Sequence, residues 1–345
     1  MNNTYHIILL NQLPFLTVEY LYVAIAIFSA LTIVLVIIML MIVFIKNKVL
    51  VHRRQITSQL EEWIMEVILD KADDPGHVFE MPSEIQKLLQ TNIAKKVLLR
   101  ELINVKKSLS GLSGVNLENI YIQQGLDQLS LKKIASKKWH IKAKGIQELA
   151  VMSQHNQHPN IAQLTNHEDM MVRMEAQNAM VRLQGYKGLK FFDHLTYPLS
   201  EWHQLYLLHL LANQPITEED GVITWLRSSN LTMVQFSLKL IAEQHASEFH
   251  DEVVKCLSHK DEMIRREAVL CLGQMPSIAA SVELNTHYAS EEVKNIRLCI
   301  IHEFQKTGSE KDLPFLQSLQ YADDVDVKLA ADKTVLYLQK NFQGL

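Results

Sequence analysis

Histidines are the residues of this sequence that most resemble a chemical site. His155 and His158 form an H-x-x-H in the polar segment "SQHNQHPN". Neutral imidazoles bind Zn²⁺, but a zinc site needs three or four protein ligands, and no second pair lies nearby in the sequence. A metalloenzyme would have to bring at least three histidines together, drawn from His155, His158, His167, His203, His209, His245 and His302. We expect no metal and no other cofactor.

Other catalytic signatures are missing from the sequence. Cys256, Cys271 and Cys299 are dispersed through apolar stretches without a C-x-x-C pair, which is typical of small buried hydrophobes in a reducing compartment. The chain contains no P-loop, no Rossmann glycine pattern, no H-E-x-x-H and no G-x-S-x-G. With no catalytic residue identified, we expect a protein that is not an enzyme.

The composition indicates which elements the chain forms. Only 11 glycines and 8 prolines occur in 345 residues, whereas a sheet protein needs turn residues at frequent intervals. The sequence therefore predicts an all-α fold.

A membrane anchor is predicted near the N-terminus. The 26 residues from Tyr20 to Ile45 carry no charge, and as a helix they span roughly 39 Å at 1.5 Å per residue, more than the ~30 Å hydrocarbon core. A cleaved signal peptide would have a basic segment before a shorter apolar run, but residues 1–17 contain no Lys or Arg. We predict a retained single-pass transmembrane helix over 18–46.

The flanking charges predict the orientation of this anchor. Lys46, Lys48, Arg53 and Arg54 all follow the apolar run. By the positive-inside rule, residues 1–17 lie outside and everything after about residue 46 lies in the cytoplasm, beneath an inner membrane. Ala26 and Ala30 form a small-x-x-x-small pair through which two such helices could dimerise. No Pro or Gly occurs between Pro14 and Pro75, so the helix could continue to about Asp70.

The C-terminal part of the chain is repetitive. "DMMVRMEAQNAMVRLQG" (169–185) and "DEMIRREAVLCLG" (261–273) share an acidic residue, an apolar-Arg pair and an Ala four positions after the apolar residue. Weaker copies extend this pattern along the chain. The leading apolar positions of all seven copies are spaced by 30 to 33 residues and are Trp139, Val172, Trp202, Val234, Ile264, Ile296 and Val327. A fixed period near 31 with two amphipathic helices per repeat predicts a helical solenoid.

These repeats resemble the HEAT-repeat family, whose second helix carries V-R-x-x-A-x-x-A-L followed by Gly. Val172, Arg173, Ala176, Ala179 and Gly185 fit that pattern, and Ile264-Arg265 with Ala268 fits its first half. The other five repeats match mainly by spacing, so armadillo-like or Tpr-like pairing is the alternative. The resemblance implies that the repeated Asp-Arg pairs tie neighbouring repeats into a ladder, rather than forming an anion-binding row.

HEAT-like folds also include enzymes. Deoxyhypusine hydroxylase-like members place His-Glu dyads directly before the Ala of the second helix, where this chain has Arg266-Glu267 and Met174-Glu175. His167-Glu168 and His302-Glu303 fall elsewhere in the repeat. An enzyme of lyase or hydroxylase type, with an unrecognised site in the solenoid, is therefore the alternative hypothesis.

Charge is unevenly distributed along the chain. Residues 86–144 carry a net +9 and residues 145–345 a net −9. An acidic solenoid excludes a nucleic-acid track, which needs continuous positive charge. The densest basic cluster could contact anionic lipid or an acidic protein; it comprises Lys132, Lys133, Lys137, Lys138, Lys142 and Lys144.

Together these features predict a membrane-anchored scaffold or adaptor. The segments are an outer N-terminus (1–17), a transmembrane helix (18–46), a helical linker and basic junction (47–138), HEAT-like repeats (139–340) and a tail (341–345). The junction resembles that of membrane-anchored bacterial HEAT-repeat proteins, and a protein of the same membrane, such as a component of a bacterial envelope machine, is the expected partner. Aromatic residues are enriched at binding hot spots, and the candidates for this surface are Tyr186, Tyr197, Trp202 and Tyr206.

Overall fold

The computed structural model describes residues 18–69, 80–109, 111–214, 216, 221–275 and 277–342. Every regular element in these ranges is helical, as the scarcity of Gly and Pro predicted. The chain divides into two compact units, residues 1–124 and 125–345. The helices are α1 (Val18–Leu69), α2 (Ser83–Leu88), α3 (Asn92–Lys106), α4 (Leu112–Gln123), α5 (Leu126–Ile134), α6 (Trp139–Val151), α7 (His158–Ala162), α8 (Met170–Gln184), α9 (Glu201–Leu211), α10 (Val222–Leu226), α11 (Leu231–Glu243), α12 (His250–Cys256), α13 (Glu262–Gly273), α14 (Ile278–Ser290), α15 (Lys294–Thr307), α16 (Leu313–Leu319) and α17 (Val325–Phe342).

One continuous helix dominates the first unit. α1 runs for 52 residues, so the predicted extension beyond the apolar run is present. By length and composition it is the one helix in the described ranges that could cross a membrane, and its most apolar window is not buried against any other part of the chain. The predicted outer segment 1–17 and the last residues of the predicted tail lie outside the described residues.

The C-terminal third of α1 belongs to a small helical bundle. Ile56, Leu60, Trp63, Ile64 and Val67 are buried at helical spacing, and this part of α1 packs on α3 and α4. At its end, the Asn116 side chain donates a hydrogen bond to the Val67 carbonyl (3.2 Å) and the Ser113 hydroxyl donates to the Ile68 carbonyl (3.1 Å). Carbonyls that the last helical turn leaves unpaired are thus satisfied by α4.

The second unit is a stack of helical pairs. Each pair combines a short first helix with a longer second one, and in the third pair the first element is a 3₁₀ segment, Gly185–His194. The second helices α6, α8, α9, α11, α13, α15 and α17 pack in sequence, each on the next. The expected all-α repeat architecture is confirmed. α5 pairs with α6 and so forms part of this unit, although the sequence assigned it to the junction.

Two leading positions differ from the sequence prediction. Val172, Val234, Ile264, Ile296 and Val327 are buried near the start of their helices, but Trp139 is 48% exposed and Trp202 is 73% exposed. In α9 the Ser200 cap accepts a hydrogen bond from the His203 amide, which puts buried His203 in the leading position. In α6 the corresponding residue is Ile141, three residues after the cap at Lys138. The leading positions are then separated by 31, 31, 31, 30, 32 and 31 residues.

The position four residues after the leading one lies where helices approach closely. Ala176, Ala268 and Ala331 occupy it with no exposure to solvent. Gly145 occupies it in α6, where a Cβ atom would lie 2.7 Å from the Ser130 carbonyl oxygen of α5. A small residue is therefore required at Gly145, whereas Leu207, Leu238 and Ile300 fill the same position in α9, α11 and α15 without exposure to solvent.

Candidate interaction surface

The two strong repeats share a cap built from two side chains, an aspartate and a histidine. The carboxylates of Asp169 and Asp261 accept hydrogen bonds from the second and third amides of α8 and α13. Two residues before each cap, the Nδ1 atoms of His167 and His259 accept the amide hydrogen of the aspartate, both at 3.0 Å. Such caps satisfy amides that the first helical turn leaves unpaired.

Cations of the second helices connect one repeat to the next. The guanidinium of Arg265 binds the Glu291 carboxylate with hydrogen bonds of 2.8 and 3.0 Å. Lys294 of the following repeat binds Asp324 of the last one at 2.8 Å. In the second repeat Arg173 instead stacks over the ring of Tyr197, 3.8 Å from its centroid. In the two strong repeats the repeated Arg therefore serves as a structural tie to the next repeat.

Glu291 is the most strongly held carboxylate of these ties. Its side chain is 2% exposed. The Arg265 guanidinium, the Val293 amide and the neighbouring His287 hold its pKa at about 2, against the opposing effect of burial. Glu291 is consequently ionised at neutral pH, with its charge neutralised by Arg265.

The histidines are spread through the solenoid. His155 is exposed, His158 binds the His155 carbonyl through its Nδ1 (2.9 Å), and His302 is 66% exposed. His203 is buried, and its Nε2 lies 2.9 Å from the Asn178 side-chain oxygen. Across the part of the chain that the structure describes, no three His, Cys, Asp or Glu residues come together as metal ligands.

Two of the four candidate aromatics have partners within the fold that limit their availability. Tyr186 is buried, and its hydroxyl donates to the Gln214 carbonyl (3.1 Å). Tyr197 lies beneath Arg173 and retains 37% exposure. Tyr186 therefore does not contribute to an exposed surface, and Tyr197 presents part of its ring.

The other two aromatics lie on α9, in the middle of the solenoid. Trp202 is the most exposed large hydrophobe of this helix, and Leu205, one turn further on, is 53% exposed. Tyr206 is half-buried, and its hydroxyl accepts a hydrogen bond from Arg182 (3.3 Å). We call Trp202, Leu205 and Tyr206 the α9 surface. Leu205 was not predicted from the sequence, because the repeat pattern places Trp202 in the core register.

Two clefts flank the α9 surface. One, of about 370 Å³, lies between α8 and α9 and is lined by Met170, Arg173 and Met174 on one side and by Tyr197 and His203 on the other. The second, of about 360 Å³, lies between α9, α11 and α13, and Leu205, Lys239 and Glu267 are among its lining residues. Burial raises the pKa of Glu267 in this cleft. Apolar walls with a few polar groups are the usual composition of a binding cleft.

The six lysines of the basic cluster divide into two groups. Lys133 is paired at 2.5 Å with Glu148, a carboxylate that is 3% exposed, and the Lys142 ammonium lies 3.3 Å from His167 Nε2. Lys132, Lys137, Lys138 and Lys144 are exposed on and between α5 and α6. Only these four extend freely from the surface.

Comparisons with known proteins yield structural likenesses at low identity. No protein-family profile matches the chain, and no curated protein matches it. The Escherichia coli protein YibA is similar in structure, with 16% identity, a TM-score of 0.40, and coverage of 75% of this chain and 99% of that one. Human deoxyhypusine hydroxylase shares 13% identity with a TM-score of 0.33, covering 83% and 98% of the two chains. A designed armadillo repeat protein shares 12% identity with a TM-score of 0.25, covering 74% and 98%.

Proposed function

We propose that the protein is a membrane-anchored, non-enzymatic scaffold or adaptor that binds a protein partner through the α9 surface. The observation that carries this proposal is the 73% exposure of Trp202 in the middle of the solenoid. An exposed Trp forgoes roughly 3–4 kcal/mol of burial free energy, at about 25 cal/mol per Å² of its apolar surface. A partner that covers Trp202 and Leu205 recovers this free energy, and the two flanking clefts can receive its side chains.

The proposed membrane anchor is the apolar part of α1. Its exposed residues from Tyr20 to Ile45 fit the interior of a bilayer. Lys46, Lys48, Arg53 and Arg54 follow them on the same helix, which supports a cytoplasmic solenoid and an external N-terminus. Ala26 and Ala30 are available for close packing of two anchors.

The same membrane supplies the most direct partner. A single-pass protein with a short external segment meets other proteins of its own bilayer most often, and a component of a bacterial envelope machine fits this role. Exposed Lys132, Lys137, Lys138 and Lys144 provide a second contact, either with anionic lipid or with an acidic segment of that partner.

Site-specific crosslinking in native membranes tests the proposal. A photoreactive amino acid at Trp202 or Leu205 should capture one defined membrane protein, identifiable by mass spectrometry. Val282 provides the matched control because it is an apolar residue of α14 that is 54% exposed and lies outside the α9 surface. Equal capture of the same proteins from positions 202 and 282, or no capture from 202 and 205, would contradict the proposal.

A further inference from the structure

The last helix that the structure describes, α17, has two opposite apolar faces. Val327, Ala331, Thr334, Val335 and Leu338 of α17 are buried against the preceding repeat. On the other side Val325 is 75%, Leu329 51% and Leu336 66% exposed. These three residues share one stripe, since the spacings of four and seven residues return to the same side of a helix. We call Val325, Leu329 and Leu336 the end face.

The residues of the end face correspond to residues of the preceding repeat that contact the next helical pair. Val325 and Leu336 each lie 31 residues, one repeat, after Lys294 and Gln305. Lys294 binds Asp324 and Asp326 of the next repeat, and Gln305 donates to the Thr334 hydroxyl of the next repeat (3.2 Å). The end face therefore stands in the positions that contact a following helical pair.

The end face is apolar where the preceding repeat is polar, because Val325 and Leu336 stand in the places of Lys294 and Gln305. The exposed area of the three residues of the end face is on the order of 350 Å², within the usual range of a monomer's largest apolar patch. A standard interface buries about 800 Å² per partner, including a polar rim.

We propose that the end face is a self-association site, in which α17 of one copy packs antiparallel on α17 of a second copy. A twofold interface uses the same patch on both molecules, and a stripe along one helix suits this symmetry. Suppose that Val325 packs against the partner's Leu336. Lys328 and the partner's Asp332 are then offset along the helix axis by one residue, which is about 1.5 Å. Two acidic and two basic residues flank the stripe. They are Asp326, Lys328, Asp332 and Lys333, so positive and negative side chains alternate along the contact between the two helices. This site is distinct from the Ala26–Ala30 contact and from the α9 surface.

Crosslinking of the purified full-length chain in detergent tests the geometry. Leu329→Cys should give a covalent dimer with a short thiol crosslinker, because position 329 lies near the twofold axis. Val282→Cys on α14 is a matched control, equally exposed but away from the end face. Wild type sets the background from the native thiols, of which Cys256 and Cys271 are buried and Cys299 is partly exposed. No dimer from position 329, or as much dimer from position 282, overturns the proposal.

Light scattering supplies an independent measurement. Leu329→Asp/Leu336→Asp should convert dimer to monomer without loss of helicity or melting temperature, because both side chains are already exposed. Ala26→Ile/Ala30→Ile should leave the dimer intact. A dimer that survives the two aspartates, or a wild type that is monomeric, contradicts self-association through α17. Since only the purified chain is used, neither result depends on whether the α9 surface binds another protein.

Discussion

Arg265 of one repeat and Glu291 of the next form a two-hydrogen-bond ion pair in which the carboxylate is 2% exposed. The pair joins α13 to the turn that begins α15, 26 residues further along the chain. Each partner neutralises a charge that would otherwise be costly inside the stack.

Removal of Arg265 should therefore destabilise the solenoid strongly. Arg265→Met leaves the Glu291 carboxylate buried, with the His287 Nε2 atom as its remaining side-chain neighbour (3.1 Å), and should lower the free energy of unfolding by about 3–5 kcal/mol. The double variant Arg265→Met/Glu291→Leu should be more stable than the single one. Arg227→Met is the surface control: Arg227 is 64% exposed in its pair with Glu252, and this loss should cost about 1 kcal/mol or less. Urea denaturation measures all three, and similar losses for Arg265 and Arg227 would show that burial does not matter here.

Acid should destabilise the protein through His203. Burial, with a smaller effect of Arg173, lowers the pKa of His203 to about 4 in the folded chain from 6.5. The unfolded chain binds the proton at higher pH than the folded chain. The resulting loss of stability is absent above pH 6.5 and grows as the pH falls towards 4. At 1.36 kcal/mol per pKa unit it reaches roughly 3 kcal/mol. His203→Gln keeps a donor for Asn178 without the titration, so it should lose less stability between pH 7.5 and 5. Parallel pH profiles for the two proteins would contradict this account.

Larger side chains at the close-approach position should separate the helices. Ala268→Leu and Gly145→Ala should each lower the stability by about 1–3 kcal/mol through overpacking, and adjacent repeats should share the damage. Ala279→Leu, at an exposed position of α14, is the control and should be near neutral. Thermal melting of residues 125–345 gives the comparison. Neutral effects at both close-approach positions would mean that the assigned register is wrong.

Membrane topology can be tested with introduced cysteines. The native thiols are poor reporters, since burial raises the pKa of Cys256 and of Cys299 to about 11. A cysteine in place of Tyr321, which is 86% exposed, should react with an impermeant reagent only after the cells are permeabilised. One in place of Asn3 should react in intact cells. The opposite pattern would reverse the proposed orientation.

The exposed lysines should govern binding to anionic lipid. Residues 125–345 should bind anionic vesicles at low salt but not neutral ones, and added salt should release them. Changing Lys132, Lys137, Lys138 and Lys144 to Glu should abolish binding. Lys133 must be left unchanged because its replacement would break the ion pair with buried Glu148. If the four-Glu variant binds as well as wild type, the lysines face an acidic protein or solvent instead.

Local signals in the sequence determined much of the architecture. The uncharged run after Glu19 and the lack of Pro and Gly up to Pro75 predicted the continuous helix that ends at Leu69. The repeat pattern that begins at Asp169 and Asp261 predicted the two second helices that these aspartates cap. Such features depend on a few residues that are neighbours along the chain, so a single sequence is sufficient to predict them.

Tertiary packing decided which large side chains are buried and which charges are paired. Trp139 and Trp202 are the largest side chains near the starts of α6 and α9, so the pattern assigned them to the core. The neighbouring helices instead accommodate Ile141 and His203 at that position and leave both tryptophans exposed. Likewise Lys133 belongs to Glu148 and Arg265 to Glu291, although neither partner is near in sequence. Burial and pairing depend on surfaces contributed by the next helix in the stack. A periodic pattern does not contain that information, so the buried position that it predicts can be wrong by one or two residues.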